Sequence, residues 1–294
     1  MQPRREETLV AVPNVSVGDD RVLAGSLAEA FVAAGDAELL CEPHFDADHG
    51  RAVYTLAGRP GHLSRALRDG AQAAVEQLDL AAHAGSHPCV GVVDVAPVVY
   101  VDANMRGAAC AEALVLGDRL GHEVGLPVFL YGVLAGGRPR AELRRGGFAG
   151  LAGRAAGGEA RPDFGPLRLS ARSGAALVSA RAPLVAFNLE LAPPADLELA
   201  RQVAGEIREG GTAGLPGVRA IGLELPARGG VAQVSVNVED HLAVPLARLV
   251  DEVSRRAPVA TTELVGLAPR EAFRGFPDGL ECRGRATLED ALGF

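Results

Sequence analysis

Lysine is missing from this 294-residue chain: all 29 residues counted as lysine plus arginine are arginine, against 37 Asp plus Glu, for a net charge of −8. No Schiff-base amine, no pyridoxal-phosphate anchor and no phosphate-loop lysine can exist here, so those chemistries are excluded. The ordinary cause is codon usage, because alanine is abundant alongside. Cysteine is scarce as well. The four (Cys41, Cys89, Cys110, Cys282) form no C-x-x-C pair and support neither a zinc cluster nor a disulfide framework. No apolar run approaches the roughly 18 residues of a spanning helix, and Arg4-Arg5 is not followed by the apolar segment of a signal peptide. The acidic balance argues against a nucleic-acid partner or an anionic membrane surface. What is present, 48% hydrophobic residues over a length natural for two domains, describes a globular chain with a reducing cytoplasm as its expected compartment.

Periodicity divides the chain into two similar runs. Thr8–Pro13 reads as a strand, Asp19-Asp20 as the cap of a helix ending at Gly35, and Glu38–Glu42 and Ala52–Gly58 as strands. A helix beginning near Pro60 and a long apolar strand, Val90–Val101, complete a β-α-β-β-α-β order. A further helix (about 104–124) and a strand (Pro127–Leu134) follow, and the Gly/Ala/Arg-rich text from 135 to 160 reads as an irregular loop. Beyond it, strand material divided by Pro183, an amphipathic helix at Asp196–Glu209, a hairpin through Arg228-Gly229-Gly230, a helix at Pro245–Val253 and a strand at Val259–Val265 repeat the order. The fold expected is α+β: two tandem ferredoxin-like (βαββαβ) subdomains with antiparallel sheets, residues 1–174 and 175–294.

Histidine carries the chemical information. His87 stands before a proline in a loop entering the long apolar strand, a stiff setting that suits proton transfer or, equally, a turn histidine. The segment from His44 to His49 holds two imidazoles and two carboxylates, readable as a divalent-metal site or as a polar turn. Cys89, two residues after His87, makes a Cys-His nucleophile pair conceivable. The glycine-rich stretch 211–217 follows a helix and precedes a strand, the reverse of a phosphate loop, and reads as a turn.

An ordered series of phrases resembles the formiminotransferase domain family: Val12-Pro13-Asn14-Val15-Ser16, Arg51-Ala52-Val53-Tyr54-Thr55, His87-Pro88 with Gly91 and Asp94-Val95, and Pro127 to Gly132. Pro162-Asp163-Phe164-Gly165-Pro166, Ala186-Phe187-Asn188, Ala232-Gln233-Val234-Ser235 with Asn237, and Glu263 to Leu267 continue it. The resemblance, to the stand-alone transferase form, implies transfer of a formimino group from N-formimino-L-glutamate to N5 of tetrahydrofolate in histidine degradation, without a metal. It implies two ferredoxin-like halves with a groove between them. It implies His87 as the catalytic acid/base and a folate-binding segment at Gly165, Pro166, Leu167, Arg168, Leu169, Ser170, Ala171, Arg172, Ser173 and Gly174. His44, Arg51, Tyr54 and Arg144 are the expected substrate-binding residues, with Arg51, Arg144 and Arg172 the candidate cations for carboxylates. The implied partners are small molecules, folate and an acidic amino-acid derivative, with a homodimer as a candidate assembly. The chain departs from the family pattern at Val17, at His44 (commonly aspartate), at Cys89-Val90 (commonly Arg-Met) and at Ala182. These departures keep open a paralogue that transfers a formyl unit, or a folate-binding protein without turnover.

Overall fold

The computed structural model describes residues 7–294, so Arg4 and Arg5 fall outside the described residues. Two compact units divide the chain, the first ending at Ala182 and the second beginning at Pro183. No helix among the described residues is long and apolar enough to cross a membrane.

In the first unit the expected strands are broken into short pairs. β1 (Leu9–Ala11) and β2 (Asn14–Val15) flank Pro13, which has no N–H to give a ladder. The path is kept by Val12 N–H donating to the Pro97 carbonyl and Tyr54 N–H donating to the Pro13 carbonyl. After α1 (Arg21–Val32), β3 (Ala37–Leu39) and β4 (His44–Asp46) are separated around Pro43, and β5 (Arg51–Val53) and β6 (Leu56–Gly58) around Tyr54-Thr55. α2 (Leu63–Gln77) then leads to β7 (Val93–Val99), buried along its whole length. The strand order β3-β6-β1-β7-β2-β5-β4 places β7 against both halves of the broken first strand.

The chain continues through α3 (Arg106–His122), β8 (Val128–Leu130), α4 (Arg140–Arg144), α5 (Gly147–Ala156) and β9 (Ala176–Arg181). β9 pairs with β7 in parallel, Val95 opposite Leu177, and with β8 in parallel, Val128 opposite Ala176. The expected all-antiparallel sheet is therefore corrected to a mixed one, because the α3 crossover returns the chain in the same direction. That pairing also keeps β9 in the first unit, eight residues beyond the junction expected at residue 174.

Packing explains why the glycine-rich stretch is not a loop. One face of the sheet is covered by α1, α2 and α3 through Leu27, Phe31, Leu67, Ala113 and Leu116. β8 is apolar on both faces and β9 adds Leu177, so Phe129 and Leu177 form a second cluster, which Leu143 of α4 and Leu151 of α5 cover. The caps are as the sequence suggests, with Asp20 accepting from Leu23 N–H at the start of α1.

The second unit runs β10 (Val185–Leu191), α6 (Leu197–Ile207), β11 (Val218–Leu225), β12 (Val231–Val238), α7 (Leu246–Ser254), β13 (Val259–Val265), β14 (Cys282–Arg283) and α8 (Leu288–Leu292). Its sheet order is β11-β12-β10-β13-β14; the first four strands are antiparallel and the short β14 is parallel to β13. The expected β-α-β-β-α-β order is present, as is the hairpin through Arg228-Gly229-Gly230. α6 buries Ala200, Val203, Ala204 and Ile207, the stripe its 3.6-residue period selects.

Candidate active site

Four segments of the first unit meet at a small pocket lined by residues that include Asn14, Ser16, His49, Arg51, His87 and Asp94. Backbone geometry brings them together. The turn from Ala47 to Gly50 joins β4 to β5, and Asp46 Oδ1 accepts the His49 N–H at 2.8 Å to close it. Gly50 has φ +68°, and a Cβ there would lie 2.6 Å from the Cα of Gly85; a Cβ on Gly85 would lie 2.3 Å from the His49 carbonyl oxygen. Glycine at both positions lets this turn sit directly on the His87 loop. Ser86 fastens the contact, its N–H and hydroxyl both donating to the Asp48 carbonyl at 3.0 and 2.7 Å. On the other side, Ser16 after β2 donates its hydroxyl to the Gly91 carbonyl at 2.9 Å.

His87 is half-buried. Its Nδ1 lies 3.0 Å from the Pro88 carbonyl oxygen. A carbonyl only accepts, so Nδ1 carries the proton and Nε2 keeps a lone pair. Burial first, then the charges of Arg51, Arg144, His49 and Arg140, hold the imidazole well below the ordinary histidine value. His87 is thus a neutral base at neutral pH. The His49 ring centroid lies 5.9 Å from that of His87, the planes 43° apart. His83 also lines the pocket, and burial depresses it as well.

Arg144, the last residue of α4, enters from the covering layer and pairs with Asp94 of β7. Asp94 Oδ1 meanwhile accepts the Val90 N–H at 2.9 Å, so both carboxylate oxygens are engaged. Burial and the neighbouring Arg51 charge press the Arg144 guanidinium down to about 9, still protonated at neutral pH. Its Nε–H is buried with no acceptor among the described residues, a donor that an incoming anionic oxygen would satisfy. Arg154 of α5 holds the end of α4 by donating to the carbonyls of Glu142, Leu143 and Arg145.

Two of the expected residues, His87 and Arg51, line the pocket, and Arg144 is joined to it through its pair with Asp94. Tyr54 is placed elsewhere: it is fully buried, its ring against Phe31 and its hydroxyl donating to the Ala24 carbonyl at 3.0 Å, a core position out of reach of a substrate. His44 lies on β4 opposite Val53, outside the pocket lining. The segment from His44 to His49 is divided between strand and turn, and it is His49 that faces His87. Burial pushes the Cys89 thiol up, which disfavours the thiolate that a Cys-His nucleophile pair needs. Arg172 donates to the Glu76 carbonyl at 3.1 Å, and its own carbonyl accepts from Leu80, fixing the loop to the end of α2.

Segment 165–174 is largely exposed and irregular, with Leu167 open to solvent. Its end is joined to the His87 loop: the Ser173 carbonyl accepts from Val92 and the Val90 carbonyl from Ala175. Gly91 and Gly174 cross so closely that a Cβ on Gly91 would lie 2.1 Å from the Ala175 carbonyl oxygen. The residues that sequence reasoning missed are Asp94 and His49 as members of the pocket. A lone carboxylate in an otherwise apolar strand was the available signal for Asp94, since such a group is buried only with a partner.

Comparison with known proteins adds an independent line. Residues 8–181 match the N-terminal subdomain of the formiminotransferase domain, and residues 186–276 match the formiminotransferase domain. The formimidoyltransferase-cyclodeaminase of Sus scrofa is 34% identical over 279 residues, covering 89% of this chain and 50% of that protein. The glutamate formimidoyltransferase of Streptococcus pyogenes serotype M1 is 32% identical over 272 residues, covering 89% of each chain. That of Thermoplasma acidophilum is 32% identical over 273 residues, covering 89% of this chain and 88% of its own. The chain spans about half the length of the cyclodeaminase-containing relatives it matches.

Proposed function

For a chain that belongs to the formiminotransferase domain family, we propose transfer of a formimino group from N-formimino-L-glutamate to N5 of tetrahydrofolate, with His87 as the acid/base. The observation that carries this reading is the placement of the His87 ring, its Nδ1 held by the Pro88 carbonyl, in one pocket with Arg51 and close to the charge of Arg144. N5 attacks the amidine carbon while Nε2 takes the N5 proton; the tetrahedral adduct then collapses, and the imidazolium returns that proton to the departing glutamate nitrogen. No net proton is consumed, so one imidazole serves both steps.

Arg51 and Arg144 supply fixed positive charge for the carboxylates of the two substrates, and the buried Nε–H of Arg144 is the donor an oxygen would meet. Folate binding along 165–174 is supported by the hydrogen bonds that tie the end of that segment to the His87 loop. The β11-β12-β10-β13 order of the second unit supports a ferredoxin-like reading of that half. Product formation by the purified full chain with both substrates tests the assignment; no product would reject it.

A second reading has its own observation. The pocket carboxylate, Asp94, is already engaged by Arg144 and the Val90 N–H, so a cationic amidinium would be repelled by the neighbouring guanidiniums, whereas a neutral formyl group would not be. N-formylglutamate turned over faster than N-formiminoglutamate would favour that donor. Folate binding measured by calorimetry without product from either donor would instead point to a binding protein.

A further inference from the structure

The function above uses one histidine, yet a second imidazole is built into the same pocket. His49 is buried to 1% exposure, and its ring lies 5.9 Å from that of His87. Its backbone is fixed twice: by Asp46 Oδ1 at its N–H, and by the Gly50–Gly85 approach that locks its turn to the His87 loop. We propose that His49 is a positioning residue for the transfer reaction, packing the His87 ring into its working orientation and opposing a second positive charge beside it. This rests on the formimino-transfer reading.

The argument is geometric and electrostatic. The groups around His87 are Arg51 on β5, Arg144 and Arg140 on α4, Asp94 on β7, Cys89 on its own loop, and His83 and His49. Asp94 is committed to Arg144, Asp46 and Asp48 belong to the turn that carries His49, and the fixed charges that act on His87 are the guanidiniums of Arg51, Arg144 and Arg140. Two imidazolium ions side by side in that field repel each other, so a charge on one ring opposes protonation of the other. His49 therefore resists protonation of His87 and keeps the base neutral. The direction agrees with the electrostatic effect of His49, which is to lower His87. The fixed turn also limits where the His87 ring can swing, and small displacements of a reacting group are costly.

His49→Phe keeps a buried ring and removes both nitrogens; His49→Gln keeps a polar group without a titration. In the full chain, the expected result for both is a kcat lower by roughly tenfold with KM nearly unchanged. The acid limb of the rate profile moves up by roughly one pH unit. Nuclear magnetic resonance titration of the His87 ring, which needs no turnover, moves in the same sense. If His87 titrates at the same pH in the wild-type chain and both variants, the proposal is overturned. Absence of turnover by the wild-type chain would reject the transfer reading, while the His87 titration still decides whether the two rings are linked.

Discussion

The guanidinium of Arg144 is paired with the carboxylate of Asp94, two residues fifty positions apart that lie on α4 and β7. The pair ties the layer covering one face of the first sheet to the strand that leads out of the His87 loop. Removing one member leaves the other charged and buried, which costs about 3–5 kcal/mol in such sites. Asp94→Ala should therefore lower the unfolding free energy of the chain by about 3 kcal/mol in a urea titration. Asp94→Ala combined with Arg144→Met should recover part of that loss, because neither partner is then an uncompensated charge.

Tyr54 belongs to a family phrase but sits in the core. Tyr54→Phe removes a buried hydroxyl and leaves the Ala24 carbonyl without its donor, an expected loss of about 1 kcal/mol. Steady-state kinetics of that variant should give kcat and KM within twofold of wild type. A large rise in KM would return Tyr54 to the substrate site.

The turn that carries His49 depends on glycine at Gly50, where φ is +68° and a side chain would strike Gly85. Gly50→Ala should destabilise the chain by about 1–3 kcal/mol through backbone strain. It should also reduce turnover more than stability alone explains, since the displaced partner is the His87 loop. Thermal melting and turnover on one preparation, below the melting range, separate the two effects.

The pH dependence follows from His87. Its imidazole is held well below the ordinary 6.5, and the neutral form is the base. Activity should stay flat as pH falls from neutrality through 6.5 and decline only on the acid side of that value. The sign for stability is the same. Below 6.5 the unfolded chain binds a proton that folded His87 resists, so His87 favours the folded state least in acid. His87→Gln should therefore be less acid-sensitive than wild type in the range just below 6.5, measured by urea unfolding at several pH values.

Much of the fold was legible because its signals are local. Asp20, Gly35 and the α6 stripe at Ala200, Val203, Ala204 and Ile207 announce their helices by spacing and caps, and Arg228-Gly229-Gly230 announces its hairpin. The breaks in the first-unit strands were harder to see: Ala52–Gly58 alternates like one strand, and only pairing with different partners divides it at Tyr54-Thr55. α4 and α5 were hidden because glycines obscure their period, while two leucines, Leu143 and Leu151, suffice to seat them. The parallel joining of β9 to β7 is a long-range choice that no window of sequence contains. At the site, His87 and Arg51 were visible in family phrases, and Arg144 as a candidate cation for carboxylates. Asp94 stood in a family phrase and His49 in the metal-or-turn segment, but their place beside His87 emerged only once the backbone contact at Gly50–Gly85 and the Arg144 pair were in view.

Turnover of N-formimino-L-glutamate with tetrahydrofolate, compared between the full chain and His87→Gln, tests the central claim most directly. The account expects product from the wild-type chain and a kcat lower by roughly 10²–10⁴-fold in the variant, with thermal melting unchanged at neutral pH. A variant that turns over within twofold of wild type would contradict it.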